Sequence, residues 1–233
     1  MSDPEYRPTY AAMPWVIPPA PAGAEDVFLK EGEPFELPRG EFFDFGRGES
    51  VWWIESGLFA TYSKNYVRAM RYIGLFGPRT VLGGTMAVRS RGEPMQLAAR
   101  VLARARGLRL GAKRYRRLLE EPGTASKMFR CCLSASEAQL EGSVVNDLYP
   151  VEMRMRLALA ALYAASGGNP AEASFPAELP WEITVTDIAR LVHADRPLVS
   201  RILSDWQKKE LLSKSGRRIA VRRNPLPGED GQS

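Results

Sequence analysis

Short apolar runs fill residues 27–110, and closely spaced Gly and Pro residues separate them. The runs at 50–62 and 72–77 are rich in aromatic and β-branched side chains, which favour strands. Many short strands with frequent turns predict an antiparallel sandwich or barrel. In the last run of this region, a strand period of two predicts that Arg100, Arg104 and Arg106 share one face.

The pattern becomes helical after residue 110, with a short helix before Pro122 and a long one after it. From Thr124 to Leu148 only Gly142 disfavours a helix, and Thr124 or Ser126 can cap its start. Its apolar positions form two stripes, one of Met128, Cys132, Ala135 and Ala138 and one of Leu133, Leu140, Val144 and Leu148. Two stripes predict two partners, the chain's own barrel and a second subunit, and one broad buried face is the equal alternative. The dimer interface predicted in this way comprises Met128, Cys132, Ala135, Leu140, Val144 and Leu148.

The last third of the chain has the pattern of a helix-turn-helix. A helix after Pro150 ends at Gly167 and Gly168, and a loop follows. Thr186 can cap the next helix, and Asp195 can cap the one after it. Pro197 falls in the first turn of that second helix, where a missing N–H costs little. Residues 213–221 then predict a turn and a strand, which would form a wing beside the two helices.

Charge is concentrated in this same segment. The chain has 45% hydrophobic and 25% charged residues and a net charge of +5, which are ordinary values for a globular protein. Residues 183–223 hold ten Lys and Arg against four acidic residues, a net charge of +6, so the remainder is close to neutral. A compact basic segment on a neutral body favours a polyanion as partner.

The N-terminal residues 1–26 contain many prolines and predict an extended arm with polyproline character. They lack the basic start and apolar core of a secretory signal, and no apolar run approaches the roughly 20 residues that span a bilayer. We therefore expect a cytoplasmic protein that makes no membrane contact.

The chain has few residues that could act in catalysis or bind a metal. The only cysteines are the neighbours Cys131 and Cys132, and the only histidine is His193, in the turn. Four-cysteine ligation is impossible within one chain, and no triad or paired-carboxylate spacing is present, so we expect no cofactor, no metal and no enzyme activity. The two cysteines are interpreted as small apolar helix residues, with a thiol sensor as the alternative, and His193 as a surface or phosphate-facing residue.

The segment from Thr184 to Leu203 has the pattern T-x-x-x-IA-x-L-x-x-x-x-R-x-x-V-S-R-x-L. This pattern resembles the DNA-binding domain of the cyclic-AMP receptor and fumarate-nitrate regulator family of bacterial transcription factors. The resemblance implies an α+β chain with an N-terminal antiparallel β-barrel (a cyclic-nucleotide-binding-like jelly roll), a long dimerisation helix and a winged helix-turn-helix. The implied divisions are an arm at 1–26, the barrel at 27–122, the dimerisation helix at 123–149, the winged helix-turn-helix at 150–224 and a tail at 225–233.

The resemblance also implies how DNA is read. The second helix would enter the major groove, where Arg196 and Arg201 fall at base-reading positions, and the wing cations would contact phosphates. The family usually has Glu where this chain has Pro197, so its usual half-site is not expected here. The implied DNA-binding residues are Thr184, Thr186, Arg196, Pro197, Ser200, Arg201, Lys214, Arg217 and Arg218. The implied partners are double-stranded DNA with a near-palindromic site, a second copy of the chain, and RNA polymerase.

The family's cyclic-nucleotide cassette is not retained. Its Gly-Glu pair corresponds to Gly83-Gly84, and its Arg-Ser pair corresponds to Leu97-Ala98, so the ribose acceptor and the phosphate clamp are both missing. The sequence thus predicts a homodimeric, sequence-specific DNA-binding regulator that is independent of cyclic nucleotides. The alternatives are a regulator that senses another ligand, such as an anion at the loop residues Arg89 and Arg91, or senses redox state, and a protein-interaction module with a degenerate helix-turn-helix.

Overall fold

The computed structural model describes residues 13–45, 49–64, 70–88, 97–170, 173–174 and 176–222. Arg89 and Arg91 lie outside the described residues. The N-terminal half contains, in order, α1 (Asp26–Glu31), β1 (Glu33–Leu37), β2 (Phe42–Asp44), β3 (Ser50–Ser63), β4 (Tyr72–Phe76), β5 (Thr80–Leu82), α2 (Gly84–Val88), β6 (Leu97–Gly111) and α3 (Ala112–Leu118). The strand-rich region predicted from residue 27 therefore begins with a short helix, and the strands follow it.

All six strands belong to one antiparallel sheet in the order β1-β6-β3-β4, with β2 also pairing β6 and β5 also pairing β3. The two long strands β3 and β6 bend where their register shifts, between Ile54 and Phe59. Gly57 lies at this bend with φ of +100°, and a Cβ there would meet the Ala105 Cα at 2.5 Å. The predicted antiparallel architecture is confirmed, but the described strands do not close into a barrel.

The long helix α4 (Pro122–Leu148) has 27 residues, and Pro122 is at its start, where neither Thr124 nor Ser126 caps it. One face packs inside the protomer through Met128, Cys131, Ala135, Ala138, Gly142 and Val145. The opposite face carries exposed apolar side chains, which are Phe129, Leu133, Leu140, Val144 and Leu148. We name this second set the exposed stripe. The two stripes predicted from the sequence thus lie in different surroundings.

The C-terminal part is a compact domain of α5 (Val151–Ala164), β7 (Ala177–Glu178), α6 (Val185–Leu191), α7 (Arg196–Lys208), β8 (Leu212–Ser215) and β9 (Arg218–Val221). Its three strands form a small antiparallel sheet in the order β7-β9-β8. Met155, Ile188, Val199 and Leu203 belong to one buried cluster, which also includes Tyr72 and Leu75 of β4. A continuous apolar core therefore joins this domain to the large sheet.

Residues 13–20, which we name the strap, belong to the segment that the sequence predicts to be an extended arm, and they pack against the rest of the protein. Met13, Trp15, Ile17 and Ala20 are all buried. Val16 forms a parallel bridge with Leu75, so the strap runs beside β4 instead of extending into solvent. Among the described residues, no helix is both long and apolar enough to cross a membrane.

Candidate nucleic-acid interface

The first helix of the helix-turn-helix, α6, is capped by Thr184, and the prediction that Thr186 caps it is wrong. The Asp187 N–H donates to the Thr184 hydroxyl at 3.1 Å, and the Thr184 N–H donates to the Asp187 carboxylate at 3.2 Å. This reciprocal pair satisfies two backbone donors that the helix itself leaves unpaired. The Thr184 hydroxyl also donates to the same carboxylate at 2.6 Å. Thr184 and Thr186 are both half-buried.

The second helix, α7, separates an apolar face from a cationic one. Val199, Leu203 and Trp206 are buried, and the Trp206 indole N–H donates to Glu152 of α5 at 3.1 Å. The predicted DNA-binding residues Arg196, Pro197, Ser200 and Arg201 are all exposed. Neither arginine forms an ion pair with another described residue. The helix is thus fixed by one face and presents two unpaired guanidinium groups on the other.

The turn between α6 and α7 contacts the large sheet through His193. This residue has φ of +49° and is half-buried, and its Nε2 lies 3.0 Å from the Tyr72 carbonyl. Burial lowers the pKa of the imidazole, and the nearby Arg71 and Arg154 act in the same direction. The expectation of a surface or phosphate-facing histidine is therefore wrong. No group of three or more potential metal ligands occurs in the described ranges.

The wing is the hairpin of β8 and β9, and the predicted cations lie around its turn. Gly216 has φ of +59° in that turn, a conformation that side chains rarely adopt. Arg217 and Arg218 are exposed and Lys214 is half-buried. Arg218 Nη1 lies 3.6 Å from Glu178 Oε1 of β7, so one of the three cations is partly neutralised within the chain.

A buried ionic cluster, which the sequence reasoning missed, connects α6 to the large sheet. Arg100 Nη1 of β6 lies 2.7 Å from Asp187 Oδ1, and the Tyr72 hydroxyl donates to the same oxygen at 3.1 Å. Arg39 Nη2 lies 3.6 Å from Asp187 Oδ2, and the Asp187 side chain is 1% exposed. Burial and the Asp187 charge raise the pKa of Tyr72. In the sequence, this cluster is indicated only by Arg100, an arginine within the apolar run 97–102. Its partner Asp187 could not be predicted from the sequence.

The end of α4 is also tied to the helix-turn-helix. The Asn146 side-chain amide donates to the Leu191 carbonyl at 3.0 Å, and Arg154 donates to the Val192 carbonyl at 2.7 Å. These carbonyls end α6, where the helix leaves acceptors unpaired. Together with the Asp187 cluster, they hold α6 at both of its ends. The position of α7 is therefore set by α4 and the large sheet.

The turn that corresponds to the family's nucleotide cassette encloses little space. A cavity of about 60 Å³ is lined there by Phe45, Phe76, Val81, Gly83, Gly84, Thr85, Met86, Leu97, Cys132, Ala135, Ser136 and Gln139. Such a volume has room for a few water molecules, whereas ligand pockets usually measure roughly 300–1,000 Å³. None of these lining residues is charged. A Cβ on Gly84 would already meet the Tyr115 hydroxyl at 3.1 Å and Cys132 Sγ at 3.2 Å.

Both cysteines are free thiols, and Cys131 is buried. Burial raises the pKa of Cys131 to about 11, and burial also raises the pKa of Cys132. Because the thiolate is the reactive form of cysteine, both shifts favour the interpretation as small core residues over that of a thiol sensor.

Comparison with solved structures identifies the architecture. The c-di-GMP responsive global regulator CLP of Xanthomonas campestris is 16% identical, with a TM-score of 0.65 over 87% of this chain and 100% of that one. FixK2 of Bradyrhizobium japonicum is 16% identical, with a TM-score of 0.67 over 83% of this chain and 93% of its own. TTHA1359 of Thermus thermophilus, a transcriptional regulator of the CRP/FNR family, is 13% identical, with a TM-score of 0.62 over 82% and 94%.

By sequence, no family model matches the chain, and no curated protein matches it. The structural matches extend over more than four fifths of this chain and nearly the whole of each related structure. This protein therefore has the fold of the CRP/FNR transcriptional regulators.

Proposed function

We propose that the protein is a homodimeric transcriptional regulator that binds double-stranded DNA at a near-palindromic site and needs no cyclic nucleotide to do so. The observation that carries the proposal is α7, a helix anchored by Val199, Leu203 and Trp206 that exposes Arg196 and Arg201 without ion-pair partners among the described residues. Two uncompensated guanidinium groups on a firmly packed helix match the major groove of DNA in shape and charge. A cytoplasmic location follows from this role.

Base reading is assigned to the exposed face of α7. Arg196 and Arg201 each have the geometry to donate two hydrogen bonds to guanine O6 and N7, and Ser200 lies between them. Pro197 offers no polar side-chain atom, so the base beside it is read by shape or not at all. Thr186 in the first turn of α6, and Lys214, Arg217 and Arg218 on the wing, are assigned to phosphates, which position the domain without reading sequence. Thr184 instead caps α6, because its N–H and its hydroxyl both donate to Asp187 and leave no donor for a phosphate.

Dimerisation is assigned to the exposed stripe of α4. Leu140 and Leu148 are 66% and 72% exposed, and Phe129 is 68% exposed, which is a high exposure for large apolar side chains along one helix. Pairing the stripe with that of a second copy would remove this surface from water. Of the interface residues predicted from the sequence, Met128 and Ala135 are buried inside the protomer and Cys132 is half-buried, so the proposed interface rests on Leu140, Val144 and Leu148, with Phe129 and Leu133 added.

Independence from cyclic nucleotides is supported by the small cavity at the glycine turn. A cyclic phosphate transferred from water needs a cation or several N–H donors in exchange. Leu97 and Ala98 are buried apolar residues at the positions where the family resemblance places the phosphate clamp. Because CLP is responsive to c-di-GMP, a response to a cyclic dinucleotide at another surface is the alternative within the same class. RNA polymerase is the protein partner that a role in transcription would require.

The test is selection of bound sequences from a random duplex pool, followed by fluorescence anisotropy with the selected site. The unaltered chain should bind a near-palindrome whose half-site centres lie about 34–36 Å apart. The double variant Arg196→Ala/Arg201→Ala should lose this selectivity, whereas Arg104→Ala removes a comparably exposed arginine from the large sheet and should leave it intact. Failure to select any sequence, or equal selectivity in both variants, would overturn the proposal and favour a protein-interaction module.

A further inference from the structure

The strap is seated between β4 and α4 by backbone hydrogen bonds to both elements. The Trp15 N–H donates to the Ala138 carbonyl of α4 at 3.1 Å, and the Trp15 carbonyl accepts from the Leu75 N–H of β4 at 2.6 Å. The Ile17 N–H then donates to the Leu75 carbonyl at 3.0 Å. A single segment therefore connects the sheet to the long helix at the middle of both.

The Trp15 indole fits against α4 because the helix has a glycine, Gly142, at this point. We name the space that Gly142 leaves for the indole the seat. A Cβ on Gly142 would meet Trp15 Cδ1 at 2.1 Å and Nε1 at 2.5 Å. A glycine inside a helix is less favourable than alanine, so the position is unfavourable for the helix alone. The indole, which is fully buried, compensates by filling the space.

The strap touches the elements that hold the helix-turn-helix in position. Trp15 belongs to the same buried cluster as Val145 of α4 and Met155 of α5. Val145 precedes Asn146, whose amide holds the Leu191 carbonyl at the end of α6. Any displacement of α4 away from the strap would therefore pull on the end of α6.

The position of Trp15 carries two costs in free energy. Trp15 has φ of +67°, a left-handed conformation that costs a side chain of this size free energy. Its indole Nε1 is buried without a hydrogen-bond partner among the described residues. The packing of the indole holds the strap in place against both costs.

We propose that the strap is an effector in cis. Residues 13–20 occupy the groove between β4 and α4 and hold α4, and through it α6 and α7, in one position relative to the sheet. The groove would then be a binding site whose ligand is the chain's own N-terminal segment. This inference rests on the proposed function only in its consequence for DNA binding, since the seating of the strap is a property of the protein alone.

The seat is tested by a cycle of thermal unfolding measurements on full-length Trp15→Ala, Gly142→Ala and the double variant. Gly142→Ala alone should lower Tm by roughly 4–10 °C, because the new Cβ collides with the indole. In the Trp15→Ala background the same change should raise Tm by roughly 2–4 °C, because alanine then only improves the helix. Gly123→Ala is the matched control, since it lies in the same helix with open space around it and should not change Tm differently in the two backgrounds. A Gly142→Ala shift with the same sign in both backgrounds would overturn the seat.

The effector role is tested by hydrogen exchange and by DNA affinity. Both Trp15→Ala and the milder Gly142→Ala should speed exchange in α6 by at least about tenfold, while the amides that pair β1 with β6 stay protected. Affinity for the selected DNA should fall by a similar factor at a temperature well below Tm. Unchanged exchange in α6, or faster exchange with unchanged DNA affinity, would reduce the strap to a structural element and refute the inference. If the unaltered chain binds no DNA, the proposed function fails, and the exchange result alone decides the inference.

Discussion

The two helices α4 and α7 each pack one apolar face inside the protomer, but their outer faces present opposite chemistry to their surroundings. Each buries one apolar face, through Ala138 and Val145 in α4 and through Val199 and Leu203 in α7. The outer face of α7 is cationic, whereas the outer face of α4 is the apolar exposed stripe. At about 100° per residue, the stripe lies nearly opposite the buried face of α4.

This difference separates two kinds of partner. A cationic face is stable in water and would gain by displacing counterions from a polyanion, so α7 needs no permanent cover. An exposed apolar stripe of five large side chains gains only by being covered, and a second copy offers the same stripe by symmetry. The outer face of a helix is thus more informative about its partner than the inner face.

The largest expected effect comes from placing charge on the exposed stripe. Leu140→Glu would bury a carboxylate from each copy at the proposed dimer interface, which should raise the dissociation constant by at least about a thousandfold, or ~4 kcal/mol. Light scattering across dilution should then change from twice the 25.9 kDa of one chain to a single chain.

The matched control for that variant is Leu29→Glu. Leu29 of α1 is 64% exposed, close to the 66% of Leu140, but it lies outside the stripe. It should leave the dimer intact. If the unaltered chain is a monomer at micromolar concentration, the exposed stripe is not covered by a second copy. Equal effects of the two variants would likewise show that the stripe is not the dimer interface.

The next largest effect concerns the cluster that fixes α6, and therefore α7, to the sheet. Arg100→Met leaves the buried Asp187 carboxylate with Arg39 at 3.6 Å as its remaining ion-pair partner and should destabilise the protein by about 3 kcal/mol. Thermal unfolding should show a fall in Tm of roughly 6–12 °C. Arg104→Met on the same strand removes an exposed arginine, whose pairing with Glu36 contributes at most about 1 kcal/mol. Equal falls in Tm for the two variants would mean that the cluster around Asp187 does not fix α6 to the large sheet.

The helices could be predicted from the sequence because their signals are local. The period of the apolar residues, Pro122, Pro150 and the spacing of the helix-turn-helix each act within a few positions along the chain. Helix α4 begins two residues before the predicted Thr124 and ends at the predicted Leu148. The exposed arginines of α7 likewise follow from its periodicity.

The contacts between distant segments could not be predicted because both partners carry ambiguous local signals. Trp15 lies in a Pro-rich stretch that predicts an extended arm, and Gly142 is the one residue that disfavours a helix between Thr124 and Leu148. Only the fold shows that the glycine makes room for the indole. Asp187 was hidden in the same way, since an acidic residue in the first turn of a helix is explained by capping alone.

A smaller effect should separate the arginines that we propose to read bases from those that we propose to bind phosphates. Arg196→Ala should cost roughly 1–3 kcal/mol with the selected site and relax the preference at one base pair. Arg218→Ala on the wing should weaken all sequences about equally and reduce the slope of log affinity against log salt by about one. Anisotropy titrations over a range of salt concentrations, with the selected site and with single-base variants, distinguish the two. An Arg196→Ala variant with unchanged base preference would show that the cationic face of α7 does not enter the major groove.

The last prediction is that cyclic nucleotides have no effect, and it concerns the buried face of α4. Ala135 of that face, with its neighbours Cys132, Ser136 and Gln139 in α4, closes one side of the cavity of about 60 Å³ at the glycine turn. A cyclic phosphate there would lose its hydration and find no cation among the described lining residues, while Gly84 offers no carboxylate to the ribose. Calorimetry with cyclic AMP or cyclic GMP should therefore show no saturable heat up to millimolar ligand, and DNA affinity should be the same with and without either nucleotide. Leu97→Arg/Ala98→Ser restores a cation and a hydroxyl, but it should still show no heat because the space is too small. Saturable heat from the unaltered chain would contradict this prediction. Either α4 would move away from the sheet to admit the ligand, so that its buried face also binds a partner, or the nucleotide would bind at another surface.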